Sequence, residues 1–411
     1  MQYALPPPSA YGMYRGIYNQ PAMPAAGASY INGGGGGGCG EATQPDLLGS
    51  LPPDLLALTA SKVAGKNALC LTCHALRLAV EACTTQMAWR GVPSTRSYVA
   101  RLSLVEVLPA VCPPHVKQLD ASGLQYLTSL LGCPPTVQAL ACKGTRVVGL
   151  GPLAECTSLT TLDCNDTRVS DLGPVRAACM QIDCQKTLVT SLGPLASCQR
   201  LHTLHCGETR IADLGPLATC TQLHTLACQI TQVMDLGPLV ACRALNTLIC
   251  NYNLGVSDLA PLAACTGLHV LDCSATRVSH LGPLTACTQL TTLSCSATLV
   301  ADLSPLASCT RLQSLDCDST CVEDLGPLAA CTGLQVLHCS YNKGVADLGP
   351  LASCTGLQVL HCNATCVSDL GPLGRCTGLQ ALHCVGSRVV DLAPLAGCTR
   401  LTTLHCRASN V

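Results

Sequence analysis

A 22-residue unit repeats from Leu150 to the last residue, and this period constrains the fold more than any other feature of the sequence. The unit reads Leu-Gly-Pro-Leu-Ala-x-Cys-Thr-x-Leu-x-x-Leu-x-Cys-x-x-Thr-x-Val-x-Asp. A fixed period of this kind is typical of a solenoid, in which each repeat packs only against its neighbours. Function is therefore expected on a surface that the repeats build together, or in segments attached to them. Clear copies of the unit are Leu192–Asp213, Leu214–Asp235, Leu303–Asp324 and Leu348–Asp369.

Each unit predicts one strand, a turn and a short helical segment. Leu204 and Cys206 alternate with polar residues, as in a half-buried strand. Thr209 is predicted to bond backbone through its hydroxyl where the chain leaves the strand. Asp213 stands at the predicted N-cap of the helical segment, with a Pro in the first turn, where a missing N–H costs little. The Leu and Cys that follow are predicted to return to the core.

The Leu-x-x-Leu-x-Cys-x-x-Thr part of the unit resembles the leucine-rich repeat, usually written Leu-x-x-Leu-x-Leu-x-x-Asn. The second half, Val-x-Asp-Leu-x-Pro-Leu, looks like the subclass found in internalin-type proteins and phosphatase-regulator relatives. The resemblance implies an α/β solenoid, with a parallel sheet on its concave face and short helical or 3-10 segments on its convex face. With two divergent units that begin at Cys112 and Cys133, residues 101–411 are expected to hold about fourteen repeats.

Three units depart from the regular length. Leu172–Ser191 is two residues short. Leu236–Asp258 and Leu325–Asp347 each carry one extra residue, at Asn253-Leu-Gly255 and Asn342-Lys-Gly344. Both extra residues are predicted to be turn insertions that contain glycine.

The chain has 33 cysteines, and most follow the repeat at two inward positions per unit. A reduced cysteine packs as a small apolar residue. Cysteines stacked one repeat apart would have parallel side-chain directions, which is poor disulfide geometry. Free thiols are therefore expected, with disulfide or metal ladders as the alternatives. The first residues lack the apolar core of a signal peptide, so a cytoplasmic or nuclear location is expected. The stacked strand cysteines include Cys339, Cys362, Cys384 and Cys406.

Composition and motifs argue against several functions. The net charge is −1 with 11% charged residues, so no nucleic-acid or membrane partner is expected. No apolar run is long enough to span a bilayer. The glycine run Gly33–Gly38 lacks the Lys and Ser or Thr of a phosphate-binding loop. No catalytic residue, metal ligand or cofactor is predicted, and the chain is not expected to be an enzyme.

Two segments precede the repeats. Residues 1–45 are rich in Pro, Gly, Ala and Tyr and are predicted to be a disordered tail, because they cannot bury enough apolar surface. Residues 46–100 predict two or three short helices, one of them at Thr85–Arg90. Such helices can cover the apolar end of a solenoid.

The order of residues in the second segment also resembles an F-box. Its opening, Leu51-Pro-Pro-Asp-Leu-Leu56, resembles the F-box sequence Leu-Pro-x-Glu-Leu-Leu, and Ala88-Trp-Arg90 resembles the closing Leu-Trp-Arg. The resemblance implies docking on the Skp-type adaptor of a cullin ubiquitin ligase. A simple helical cap is the alternative interpretation. The residues expected to contact the adaptor are Leu51, Pro52, Leu55, Leu56, Leu69, Leu71 and Trp89.

The residue between the second Leu and the inward Cys of each unit is predicted to point out of the concave face. Four consecutive units carry histidine there, which predicts a ladder with a spacing near 5 Å. A partner-binding or pH-sensitive patch is one interpretation, and recent duplication of the repeat is the other. Metal binding is less favoured, because no carboxylate is predicted in that part of the stripe. The predicted protein-binding residues are His205, Asp316, His338, His361, His383 and His405, with Tyr252 and Tyr341 in the adjoining turns.

These features predict a noncatalytic protein-interaction solenoid, and more specifically an F-box-type substrate receptor of a cullin ligase. A repeat scaffold or regulatory subunit without ligase coupling is the alternative. A surface adhesin of internalin type is disfavoured by the missing signal peptide. The last repeat has no polar capping unit after it, so self-association through that repeat is also expected.

Overall fold

The computed structural model describes residues 86–88, 116–125, 127–175 and 177–407. Within these residues, fifteen strands form one parallel sheet whose strand order follows the chain. The sheet confirms the predicted leucine-rich-repeat solenoid. The strands are β1 Gln86–Ala88, β2 Gln118–Asp120, β3 Ala139–Ala141, β4 Thr161–Asp163, β5 Gln181–Asp183, β6 Thr203–His205, β7 Thr225–Ala227, β8 Thr247–Ile249, β9 Val270–Asp272, β10 Thr292–Ser294, β11 Ser314–Asp316, β12 Val336–His338, β13 Val359–His361, β14 Ala381–His383 and β15 Thr403–His405.

Eleven 3-10 helices of five residues each lie between the strands of the described repeats. Asp213 Oδ1 accepts a hydrogen bond of 2.6 Å from the first helical N–H, that of Gly215. The N-cap position itself is Leu214, so Asp213 acts one residue earlier than predicted. The helices are Gly151–Glu155, Gly193–Ser197, Gly215–Thr219, Gly237–Ala241, Ala260–Ala264, Gly282–Ala286, Ser304–Ser308, Gly326–Ala330, Gly349–Ser353, Gly371–Arg375 and Ala393–Gly397.

Leucine, valine and cysteine make a continuous core from Val116 to Cys398. The predicted inward direction of the repeat cysteines is confirmed, because all but a few of those described are fully buried. Their thiols also donate hydrogen bonds across repeats. Cys309 Sγ, for example, lies 3.6 Å from the carbonyl oxygens of Leu284 and Cys287. Cysteine therefore fills the core and also gives a second hydrogen bond to carbonyls that already accept a backbone N–H.

The turn after each strand is closed by the predicted threonine. Thr209 Oγ1 donates a 2.7 Å hydrogen bond to the carbonyl of Cys206, three residues earlier.

The 20-residue repeat, Leu172–Ser191, differs from the others in its helical segment. Between β4 and β5 the described residues contain no 3-10 helix, and Val175 N–H closes a simple turn on Leu172 O at 2.8 Å. The two missing residues are thus taken from the helical segment.

The two insertions are organised by asparagine. Asn253 is fully buried, and its Nδ2 donates to the carbonyls of Cys228 and Cys250 at 2.8 and 2.9 Å. Its Oδ1 accepts from the N–H and hydroxyl of Thr231, in the preceding repeat, at 3.0 and 2.8 Å. Asn342 makes the same four bonds in its own repeat. The predicted turn insertions are confirmed, and the extra residue lets an asparagine tie two repeats together.

One backbone position after each of the strands β2 to β14 has a positive φ. It is the third residue beyond the end of the strand, and glycine occupies it at Gly123, Gly144 and Gly386. Other side chains stand there in most repeats, including alanine at Ala297 and tyrosine at Tyr341. The left-handed conformation is unfavourable for residues with a Cβ, so these repeats carry local backbone strain.

Replacing Ala297 with glycine is therefore expected to raise the free energy of unfolding by about 1 kcal/mol, since only glycine adopts this φ of 54° without strain. The reverse change, Gly386→Ala, should lower it by a similar amount. Urea unfolding monitored by circular dichroism measures both. Ala307→Gly, on the 3-10 helix Ser304–Ser308, is the control and should destabilise the chain. A lower free energy of unfolding in Ala297→Gly would contradict the claim that Ala297 carries backbone strain.

The start of the sheet corrects the sequence prediction. Residues 86–88 form strand β1 and pair in parallel with β2, so the helix predicted at Thr85–Arg90 is wrong. The sheet has fifteen strands, one more than the fourteen repeats predicted. Register with β2 decides the conformation here, because the local sequence lacks the repeat consensus. The predicted tail 1–45 and the remaining F-box-like residues lie outside the described part of the chain. No helix in the described part has the length and hydropathy to span a membrane.

Candidate protein-binding surface

The outward side chains of the strands form one surface, called the strand face here and defined by the first and third residues of each strand. Parallel pairing places the third residue of each strand beside the third residue of the neighbouring strand, as predicted from the repeat. Accessibility varies along this row. Ala227, Ile249, Asp272 and Ser294 in its middle are buried, whereas the residues from Asp316 onward are half-buried or exposed. The part of the strand face open to a partner therefore includes β11 to β15.

His338, His361, His383 and His405 form a stack along this open part, called the histidine stack below. Ring centroids are 4.2, 4.2 and 4.3 Å apart, closer than the predicted spacing, and the interplanar angles are 4°, 11° and 30°. Burial and the neighbouring imidazoles lower the pKa of His361 to about 4. Burial also lowers the pKa of His338 and of His383. His361 is therefore neutral at pH 7, and His338 and His383 are harder to protonate than an ordinary histidine.

An apolar strip runs beside the histidine stack. The first residues of β12, β13 and β14 are Val336, Val359 and Ala381, and they pair in register. All three are half-buried, so part of each side chain remains accessible. The imidazole rings and this strip together present a flat surface with few charges.

Acidic residues border the histidine stack at the end of β11 and in the turn that follows it. Asp316 pairs in register with His338, and Asp318 lies two residues further along the same chain. The sequence predicted no carboxylate beside these histidines, which was wrong, because Asp316 occupies the strand next to the stack. Burial and the charge of Asp316 raise the pKa of Asp318 to about 7. Asp318 was missed, although Asp-Cys-Asp occurs at this strand position in no other repeat.

The other end of the strand face carries a second polar group of residues. His205 Nδ1 lies 3.7 Å from Asp183 Oδ2, and Asn165 Nδ2 donates to Asp183 Oδ1 at 3.2 Å. Burial would raise the pKa of Asp183, but hydrogen bonds from His205 and backbone outweigh it and lower that pKa. Burial, together with the nearby charge of Asp183, raises the pKa of Asp163 to about 6. His205 is thus tied to carboxylates and is separate from the histidine stack.

Asp163→Asn is expected to stabilise the chain by about 1–3 kcal/mol at pH 8 and to leave it nearly unchanged at pH 4. The pKa of Asp163 in the folded chain is about 6, above its ordinary 3.8. The folded chain therefore loses stability as the pH rises from about 4 to about 6, because the unfolded chain gives up this proton more readily. Asparagine keeps an oxygen that can accept the Asn165 N–H, now 3.0 Å from Asp163 Oδ1. Urea titrations of both proteins at the two pH values test this. If the two proteins differed equally in stability at both pH values, the carboxylate charge of Asp163 would not be the cause of the difference.

The two predicted tyrosines lie in the turns that follow the strands, as expected from the sequence. Tyr252 and Tyr341 occupy the positive-φ turn positions, at φ of 58° and 62°. Tyr341 follows β12, and its side chain is 63% exposed. Tyr252 lines a shallow cavity with Met234 and Leu254, four strands before the histidine stack begins. The structure therefore brings together Asp316 and the four histidines, and it separates His205 and Tyr252 from them.

Known proteins share this architecture. The family model described as two copies of the leucine-rich repeat matches residues 288–330. The internalin InlF of Listeria monocytogenes is 23% identical, with 73% of this chain and 88% of that chain covered and a TM-score of 0.67. The functional domain of InlJ from the same organism, which includes a cysteine ladder, is 21% identical over 71% of this chain and 72% of that one, with a TM-score of 0.56.

A leucine-rich-repeat protein of Leptospira interrogans is 12% identical, with 72% of this chain and 91% of that chain covered and a TM-score of 0.59. At these identities the likenesses show the fold alone. No protein with a curated description matches the chain. The leucine-rich-repeat fold is thus supported by the geometry, by a family model and by solved structures.

Proposed function

We propose that this chain, a leucine-rich-repeat solenoid, is a noncatalytic module that holds a protein partner on the strand face of β12 to β15. The histidine stack is the observation that carries the proposal, because four repeats there present one continuous row of imidazole rings. A histidine side chain offers a flat ring and nitrogen atoms that can donate or accept hydrogen bonds. Partners commonly bind at places where aromatic side chains stand beside apolar ones.

The apolar strip supports the same location. Val336 and Val359 lie in register on neighbouring strands, next to His338 and His361. Burial of half-exposed valine side chains under a partner would contribute favourable free energy, whereas the strongly charged groups of most protein surfaces cost desolvation. Recent duplication of the repeat is the alternative interpretation of the four histidines, and a binding experiment distinguishes the two.

The experiment compares two charge-matched double variants of the full chain. His361→Asp with His383→Asp places two carboxylates in the histidine stack. Ser308→Asp with Ser353→Asp places two on exposed positions of the 3-10 helices. Each tagged protein is used to recover partners from extracts of the source organism, with quantitative mass spectrometry. A specific partner should fall about tenfold or more with the first variant only, which corresponds to at least about 1.4 kcal/mol. Equal recovery with both variants would place the binding surface elsewhere.

A finer proposal couples this module to ubiquitin ligation. Its support is the F-box resemblance at Leu51, Leu55 and Leu56, just ahead of the repeats. Ala88, the first residue of the Leu-Trp-Arg-like stretch, lies in strand β1, and the other two residues of that stretch lie outside the described part of the chain. The full chain should bind the Skp-type adaptor of its organism, and Leu55→Asp with Leu56→Asp should abolish that binding. Partner recovery without adaptor binding would favour the alternative, a scaffold or regulatory subunit.

Two expectations remain separate from the partner surface. A cytoplasmic or nuclear location is proposed on the cysteine-rich core, since these compartments keep thiols reduced. Self-association through the last repeat stays a prediction, and sedimentation velocity at several protein concentrations tests it. A single monomeric species at all concentrations would contradict it.

A further inference from the structure

We propose that Asp316, Asp318 and His338 form a site for a divalent transition-metal ion on the strand face. One ligand atom from each of the three residues lies within 4.8 Å of the other two. This site shares His338 with the histidine stack, but metal binding is a separate function and needs no partner protein. It stands at the β11 edge of the histidine stack.

The backbone explains why these three side chains converge. Cys317 points into the core, so the residues before and after it point to the opposite side of the chain. Asp316 and Asp318 therefore share one side, and parallel pairing of β11 with β12 places His338 directly beside Asp316. Strand register therefore fixes Asp316 and His338, and Asp318 joins them from the first residues of the turn that follows β11.

The surroundings of the site favour a cation. Asp316 and Asp318 are two half-buried carboxylates held close together. The titratable and polar groups that face them are His361 on β13, Asp272 on β9, and the hydroxyl and backbone of Ser294 and Ser340. Two like charges at this distance repel each other, and a bound divalent ion would neutralise both.

The donor set indicates the class of metal. One imidazole nitrogen with two carboxylate oxygens suits Zn²⁺, Co²⁺, Mn²⁺ or Fe²⁺, whereas Ca²⁺ and Mg²⁺ prefer oxygen alone. Thiolate does not contribute, because Cys317 Sγ is buried and lies 3.3 Å from the carbonyl oxygen of His338. The stacked ring of His361 restrains the orientation of His338, as neighbours of metal ligands commonly do.

Titration of the full chain with Co²⁺, followed by its visible absorption spectrum, tests the site. Wild type should bind one Co²⁺ with nitrogen and oxygen ligands, and Zn²⁺ should displace it. His338→Gln and Asp318→Asn should each weaken this binding by about tenfold or more. Co²⁺ bound by cysteines elsewhere in the chain would show sulfur-to-cobalt charge-transfer bands. The intensity of those bands should be the same in both variants as in wild type.

His383→Gln and His405→Gln are the matched controls, because they remove imidazoles of the same stack that lie outside the site. Their Co²⁺ affinity should equal that of wild type. Circular dichroism establishes that each variant folds, and Asp316→Asn replaces any variant that does not. Unchanged binding in His338→Gln, or equal losses in His338→Gln and His383→Gln, would overturn the proposal. Because the titration contains no partner, its failure is distinguishable from failure of the protein-binding function.

Discussion

Asn253→Ala is expected to lower the free energy of unfolding by about 3–5 kcal/mol, because it removes four hydrogen bonds and leaves backbone groups without partners. The substitution removes the donor that satisfies Cys250 O and one of the two donors to Cys228 O, which keeps its hydrogen bond from the Thr231 hydroxyl. It also removes the oxygen that accepts from the backbone and hydroxyl of Thr231. Each buried group left unpaired costs about 1–3 kcal/mol, so several together have a large effect.

Thr209→Ala is the control for this prediction. That threonine closes the same turn in a regular repeat, but it makes a single hydrogen bond, to Cys206 O. Its loss should cost about 1 kcal/mol. Asn342→Ala should reproduce the large effect, since Asn342 makes the equivalent four bonds. Urea unfolding compares the three variants. Equal losses in Asn253→Ala and Thr209→Ala would show that the contacts between repeats add nothing.

The comparison between Asn253 and Thr209 also shows how far the repeat pattern predicts structure. Alternation of Leu204 and Cys206 around an outward residue predicts the strand, its inward side chains and the row of outward ones, because parallel register copies one repeat onto the next. The pattern contains no information about bonds from one repeat to another. The role of Asn253 in holding Thr231 was therefore visible only in three dimensions.

The candidate surface was predictable to a similar degree. The stripe of outward residues placed His338, His361, His383 and His405 next to one another, and the structure stacks them. Asp318 was not predicted, because it lies beyond the consensus strand and reaches the same side only through alternation around a buried cysteine. Strand β1 was missed for a related reason. Its conformation depends on pairing with β2, and its own sequence does not encode that pairing.

The buried cysteines lead to the second large prediction. In the reduced, native chain at pH 7, a maleimide should modify Cys321 at least about 1,000-fold faster than Cys228, a buried cysteine of the core. Of the 28 described cysteines, Cys321 is exposed, Cys366 and Cys406 are intermediate, and the others are buried. The thiolate is the reactive form, and burial raises the pKa of Cys228 from 9.0 to about 12. That change alone lowers its thiolate fraction by about 1,000-fold, before steric exclusion is counted.

Peptide mass spectrometry after timed labelling gives a separate rate for each cysteine, so those outside the described residues do not obscure the result. In denaturant, all thiols should react at similar rates, because unfolding removes both the burial and the pKa shift. Core cysteines that stay unmodified in denaturant without reductant, and react only after reduction, would show disulfides and contradict the expected free thiols. Core cysteines that react as fast as Cys321 in the native chain would show instead that the repeats open readily. Slow labelling of the core with complete labelling on unfolding would mean that the cysteine ladders act as packing, which requires a compartment that keeps them reduced.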